Sequence, residues 1–210
     1  MKSITKSELL HAQLAILAAV CLQLTIVSEL RVGPKYFIAL LELVLVIAVG
    51  ITAPRRHSKS ASIHKTTSVV LITIISLANA TQLVLITNAL IHGSDVPGKS
   101  ILMGALAIFF TNIIMFGLWY WELDSPGLSG RYDENKDPDF LFPQLESNQS
   151  KEWKPTFFDY LYVSITNSTA FSPTDTLPGT HRAKALMSVQ SLISLITIVL
   201  VTARAVNILG

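Results

Sequence analysis

Thr169, Ser172, Thr174 and Asp175 crowd three hydroxyls and a carboxylate into one short polar stretch between two apolar ones. Such oxygens can replace the water shell of a cation. A ring of them around a symmetry axis, with one Asp175 from each copy, would favour cations over anions. Asp175 could equally cap the turn or pair with Arg182. A second set lies downstream, where Gln190 and Ser194 are four apart and Ser191 and Ser194 three apart, placing them on one helical face with Thr197 a turn further on. That face either lines a wet path or lets helices pack closely through small hydroxyl residues. Glu42 is flanked by Leu40, Leu41, Leu43 and Val44. An ionisable group at the middle of a membrane span costs about 2.5–3.5 kcal/mol on insertion scales and faces the protein interior or water. Glu42 is therefore either a hydrogen-bonding partner of Asn79, Gln82 or Asn88, or a step on a proton or ion path.

The elements that must position these residues follow from composition. Of the 210 residues, 50% are apolar and 14% charged, and the apolar residues are gathered in blocks. A membrane span needs about 20 mostly apolar residues. The stretches 9–30, 36–53, 67–92, 100–121 and 184–208 reach or approach that length. Lipid leaves no backbone group without a partner, so these spans are expected as α-helices. The fold class expected is all-α, a polytopic membrane helical bundle of five transmembrane helices plus one re-entrant helix and loop. Residues 1–98 would form a three-helix region and residues 99–210 a pore-loop domain. Lys2 and Lys6 precede the first block, which is too long for the apolar part of a signal peptide and reads as a retained span. Trp119, Tyr120, Trp121 and Trp153 read as an interfacial aromatic belt. The stretch 122–154 carries eight acidic and four basic residues and reads as a surface cap.

Pro155 suits the first position of a helix, where its missing N–H costs nothing. A short amphipathic helix is expected over 155–168, followed by the polar turn 169–178 and the last span. Helix, polar turn, Asp, Pro and long apolar helix is the order of the potassium-channel pore domain, which the chain resembles from about residue 101 to residue 209. In that alignment Ser164 matches a pore-helix serine, Thr169 the filter threonine, Asp175 the aspartate after the filter and Pro178 the proline beyond it. Where that family carries T-V-G-Y-G-D, this chain has Ala170, Phe171, Ser172, Pro173, Thr174 and Asp175, with no glycine. A stack of carbonyls facing one axis uses glycine at backbone angles that side chains resist, and Pro173 fixes φ and removes a donor. The resemblance implies a homo-oligomeric, tetrameric cation channel with filter residues at 169–175. Gln190, Ser191, Ser194 and Thr197 would line its pore, and potassium selectivity would be poor. The alternatives are a non-conducting accessory or lipid-interacting protein on the same scaffold, and a proton-coupled transporter using Glu42. The segments YLYVSITNSTAFSPTD and ARAVNIL are also similar to uncharacterised bacterial inner-membrane proteins, which supports residence in the plasma membrane as a multi-pass protein.

Membrane lipids and monovalent cations are the partners expected. The net charge of +2 is too small to imply nucleic acid. Cys21 stands alone, so neither a disulfide within the chain nor a cysteine metal site can form. The run 133–137 begins like a calcium loop, but Pro138 replaces the required glycine, and it reads as a solvated acidic turn. No motif for a hydrolytic nucleophile, a phosphate-binding loop or a zinc enzyme is present, and neither enzymatic activity nor a cofactor is expected. With five spans, Lys and Arg number 12 on the side of the N-terminus and polar turn and 4 on the other. The positive-inside rule then puts the turn on the cytoplasmic side, whereas potassium channels insert theirs from outside. An inverted pore loop, as in glutamate-receptor channels, reconciles the two.

Overall fold

A computed structural model describes residues 6–26, 61–92, 95–124, 138–146, 153–172 and 175–209, with isolated positions between 34 and 47. The described chain is mostly helical. In order it forms α1 (Lys6–Leu24), α2 (Ala61–His92), α3 (Gly98–Asp124), β1 (Phe140–Leu141), α4 (Pro143–Glu146), α5 (Phe157–Thr169), β2 (Leu177–Pro178) and α6 (His181–Leu209). Four helices are long and apolar enough to cross a membrane, over Ser7–Leu24, Ser68–His92, Gly98–Asp124 and His181–Val206. They correspond to four of the five expected spans. The remaining one, 36–53 with Glu42, falls largely outside the described residues, as does Glu42 itself.

α3 is the hub, packing against α1, α2, α5 and α6. Its sequence permits this because the small residues Gly104, Ala105 and Ala107 are buried toward one end and Gly117 toward the other. A Cβ on Gly117 would stand 3.2 Å from the Cα of Leu161, so α5 meets α3 close to backbone distance and any side chain there would press on α5. One core cluster gathers Met115, Phe116, Tyr120, Trp121, Phe140, Phe157 and Tyr160 at the α5 end of the molecule, and a second gathers Leu83, Ile86, Ile101 and Ile108 at the opposite end.

The aromatic residues expected as an interfacial belt divide. Tyr120 and Trp121 are fully buried, with the Trp121 ring 5.3 Å from Phe157 and the Tyr120 ring 4.9 Å from Phe140. Partly buried Trp119 donates from its indole to Ser76 Oγ at 3.1 Å. The belt reading fails at Tyr120 and Trp121 because the chain returns over the end of α3 and covers them. That return is fastened by the antiparallel pairing of Phe140 with Pro178 and Leu141 with Leu177, and by Gly179 N–H donating to Asp139 O at 2.8 Å.

Candidate functional site

α5 starts later than Pro155 because Thr156, in extended conformation, serves as its N-cap. The Asp159 carboxylate accepts the Thr156 N–H at 2.7 Å and the Thr156 hydroxyl at 2.8 Å, reinforcing the helix start. Ser164, Asn167 and Ser168 then share the face of α5 turned toward α3 and α6, and all three are buried.

Gln190 of α6 is the centre of what they form. Its amide nitrogen donates to Ser164 Oγ at 2.6 Å, Ser168 Oγ at 2.8 Å and Ser164 O at 3.1 Å. Its amide oxygen accepts from the Tyr120 hydroxyl and, at 2.9 Å, from Asn167 Nδ2. Asn167 Nδ2 also reaches Met187 O at 3.0 Å, its oxygen accepts from Ser191 Oγ at 3.1 Å, and Ser164 Oγ donates to Ile113 O at 2.6 Å. One turn further along α6, Ser194 Oγ accepts from Asn112 Nδ2 at 3.3 Å. Three helices are thus held by one hydrogen-bonded network with no charged member. Partly satisfied networks of this kind are costly in a low-dielectric interior, and satisfied ones fix a unique packing.

The residues expected to line a pore therefore have assigned neighbours. Gln190, Ser194 and Thr197 are fully buried within a single copy and Ser191 is partly buried; Thr197 donates to Ile193 O of its own helix at 2.7 Å. The outward face of α6 carries Val189, Leu192, Leu195 and Val199 instead.

The turn after α5 is different. Thr169, Ala170, Phe171, Ser172 and Asp175 are exposed, while Pro173 and Thr174 lie outside the described residues. The Thr169 hydroxyl donates back to Ile165 O at 2.9 Å, and the Asp175 carboxylate accepts from Thr176 Oγ1 at 3.4 Å. Phe171 has φ 54°, in the left-handed region that favours glycine. The helix, the exposed turn and the buried face are thus consecutive parts of one unit.

Arg182 pairs with Asp139 and not with Asp175. Asp139 is buried; it also accepts from Thr180 Oγ1 at 2.5 Å, and its N–H donates to the carboxylate of Asp124. Tyr160 donates to that same Asp124 carboxylate at 2.7 Å, and Thr180 caps α6 by accepting the Ala183 N–H at 3.2 Å. This cluster joins the ends of α3 and α6 to the side of α5.

Asn79, a candidate partner of Glu42 in the sequence, donates to Ile108 O at 3.2 Å; Gln82, another, donates to Gln23 Oε1 of α1 at 3.0 Å. Asn167, which opens an N-S-T sequon in the sequence, is a buried member of the network. Its role and those of Ser168 and Tyr120 were missed by sequence reasoning. The spacing of Ser164, Asn167 and Ser168, at i, i+3 and i+4, is the signal that points to one polar stripe on α5. Among the described residues no cluster of His, Cys, Asp or Glu could hold a metal ion. Comparison with protein-family models, curated proteins and solved structures finds no match.

Proposed function

We propose that this is a multi-pass plasma-membrane protein on a pore-loop scaffold, in which α5 is a re-entrant helix and residues 169–178 form a constriction at the axis of a homo-oligomer. By the resemblance the oligomer is a tetramer, and the species passed is a monovalent cation. The observation that carries this reading is the seating of α5. Its polar face is locked onto α3 and α6, and its C-terminal end opens into the exposed turn that bears Asp175. A helix C-terminus carries about half a negative charge, so the helix end and the carboxylate both favour a cation there. The glycine-free turn lacks the carbonyl cage that strips potassium selectively, and sodium should pass comparably.

A second reading, a non-conducting accessory protein on the same scaffold, is favoured by the spent polarity of α6. With Gln190, Ser194 and Thr197 facing inward, the middle of the outward face is left to Val189, Leu192, Leu195 and Val199, and a path along it would be dry.

The test is monovalent-cation flux into liposomes holding the purified protein and its Asp175→Asn and Glu42→Gln variants. Flux lost with Asp175→Asn alone supports the axial constriction. Flux lost only with Glu42→Gln moves the path into each protomer, and absence of flux from folded, oligomeric protein selects the non-conducting reading. Strong preference for potassium over sodium would overturn the selectivity argument.

A further inference from the structure

At the end of the molecule opposite the Asp139 cluster, α6 lays Arg204 against the first turn of α3. The guanidinium occupies the space that a Cβ on Gly98 would take. The placement is electrostatically adverse. The start of α3 is the positive end of its helix dipole, its N–H groups at Gly98 and Lys99 point out of that end by helix geometry, and Lys99 adds a charge. The buried Nε of Arg204 has no hydrogen-bond partner, and among the described residues no ion pair joins Asp95 to either cation. Among the described residues no ion pair offsets Arg204 or Lys99 beside this positive helix end.

Beside this charged end runs a groove of about 350 Å³, lined by Leu83, Val84, Thr87, Asn88, Ile91 and Ile196. It exists because α2 and α6 both pack on α3 and touch each other little. Its lining is apolar apart from Thr87 and Asn88, with Val84 and Ile196 exposed, and Asn88 stands one turn before His92 on α2. Ile196 precedes Arg204 by eight residues. Arg204 is not part of the groove's lining and stands about 12 Å beyond Ile196 along α6, toward the end of the bundle where α3 begins.

We propose that this is a binding site for one anionic phospholipid, its phosphate bridging Arg204, Lys99 and the N-terminus of α3, and an acyl chain lying between α2 and α6. The proposal rests on the membrane reading above. A phosphate supplies the charge and acceptor oxygens that this corner lacks, and the trough selects a headgroup carried on a hydrocarbon chain over free phosphate.

The experiment is native mass spectrometry of detergent-purified protein titrated with dioleoyl phosphatidylglycerol or dioleoyl phosphatidylcholine, on wild type, Arg204→Gln, Lys99→Gln, Val84→Trp and Lys184→Gln. Wild type should retain one phosphatidylglycerol per protomer in preference to phosphatidylcholine. Arg204→Gln should weaken that retention about tenfold, as expected when a charge-assisted donor is lost. Lys99→Gln should weaken it less, Val84→Trp should block the trough for both lipids, and Lys184→Gln, exposed at the other end of α6, should change nothing. Equal retention of both lipids, retention unaffected by Arg204→Gln and Lys99→Gln, or displacement of the lipid by millimolar inorganic phosphate would overturn the site. Alkaline carbonate extraction of cell membranes, run in parallel, separates the two claims. Protein that stays in the pellet without a phosphatidylglycerol preference refutes the lipid site alone, whereas protein released into the supernatant refutes the membrane reading and the site with it.

Discussion

Replacing Gln190 with leucine keeps roughly the same volume and removes every polar atom from the centre of the network. Gln190 bonds to Tyr120, Ser164, Asn167 and Ser168, so four partners are affected. Interhelical hydrogen bonds between membrane helices average about 0.6 kcal/mol each, because separated helices find other partners, which sets the expected loss at about 2–3 kcal/mol. The partners do not suffer equally. Ser164 keeps its bond to Ile113 O and Asn167 keeps Met187 O, while the Tyr120 hydroxyl loses its acceptor in a fully buried site. Tyr120→Phe should therefore destabilise the wild type but be neutral or stabilising in the Gln190→Leu background, since it removes the stranded group. The assay is reversible unfolding in mixed micelles with increasing dodecyl sulfate, followed by circular dichroism and by fluorescence of Trp119, Trp121 and Trp153. A Gln190→Leu loss below about 0.5 kcal/mol, or a Tyr120→Phe cost equal in both backgrounds, would refute the argument, since independent sites add within that margin.

Three further outcomes are expected from the same unfolding measurement. Gly117→Leu should cost about 1–3 kcal/mol by overpacking, because its side chain would meet the backbone of α5; Gly117→Ala should cost less. Arg182→Gln should cost about 1–2 kcal/mol, since it leaves Asp139, only 3% exposed, without its cation, and the 44% exposure of Arg182 tempers the loss. Asp139→Asn in the same chain should recover part of it. Phe171→Gly should change stability by less than about 0.5 kcal/mol although a ring is lost, because relief of the left-handed backbone offsets it, whereas β-branched Phe171→Val should cost about 1–2 kcal/mol.

Apolar run length alone located α1, α2, α3 and α6, because a helix that must satisfy its own backbone needs little else from its neighbours. The short helix was legible from Pro155 and the apolar run after it, and its true start at Phe157 reflects the Thr156 cap, a contact with Asp159 that spacing alone leaves ambiguous. The spacing of residues 190, 191 and 194 puts them on one face of a helix. What that face touches was not legible, because a polar stripe in an apolar helix reads the same whether it meets water or another stripe. The same limit applied to Tyr120 and Trp121. At the end of an apolar span they have the composition of an interface, and what covers them, Phe157 on Trp121 and Phe140 on Tyr120, comes from segments brought back by a strand pairing of four residues with no periodic signature.

That pairing and the carboxylate of Asp124 have a topological consequence. The chain leaves α3 at Asp124 and comes back to the same point at Asp139, whose N–H the Asp124 side chain holds. Asp124 and Asp139 thus form a neck at which the connection between α3 and β1 is closed into a ring. Closing a longer ring costs only about 0.6 kcal/mol for each doubling of its length. A reporter inserted between Pro126 and Lys136 should leave α3, α5 and α6 in register while announcing which side of the membrane the neck faces.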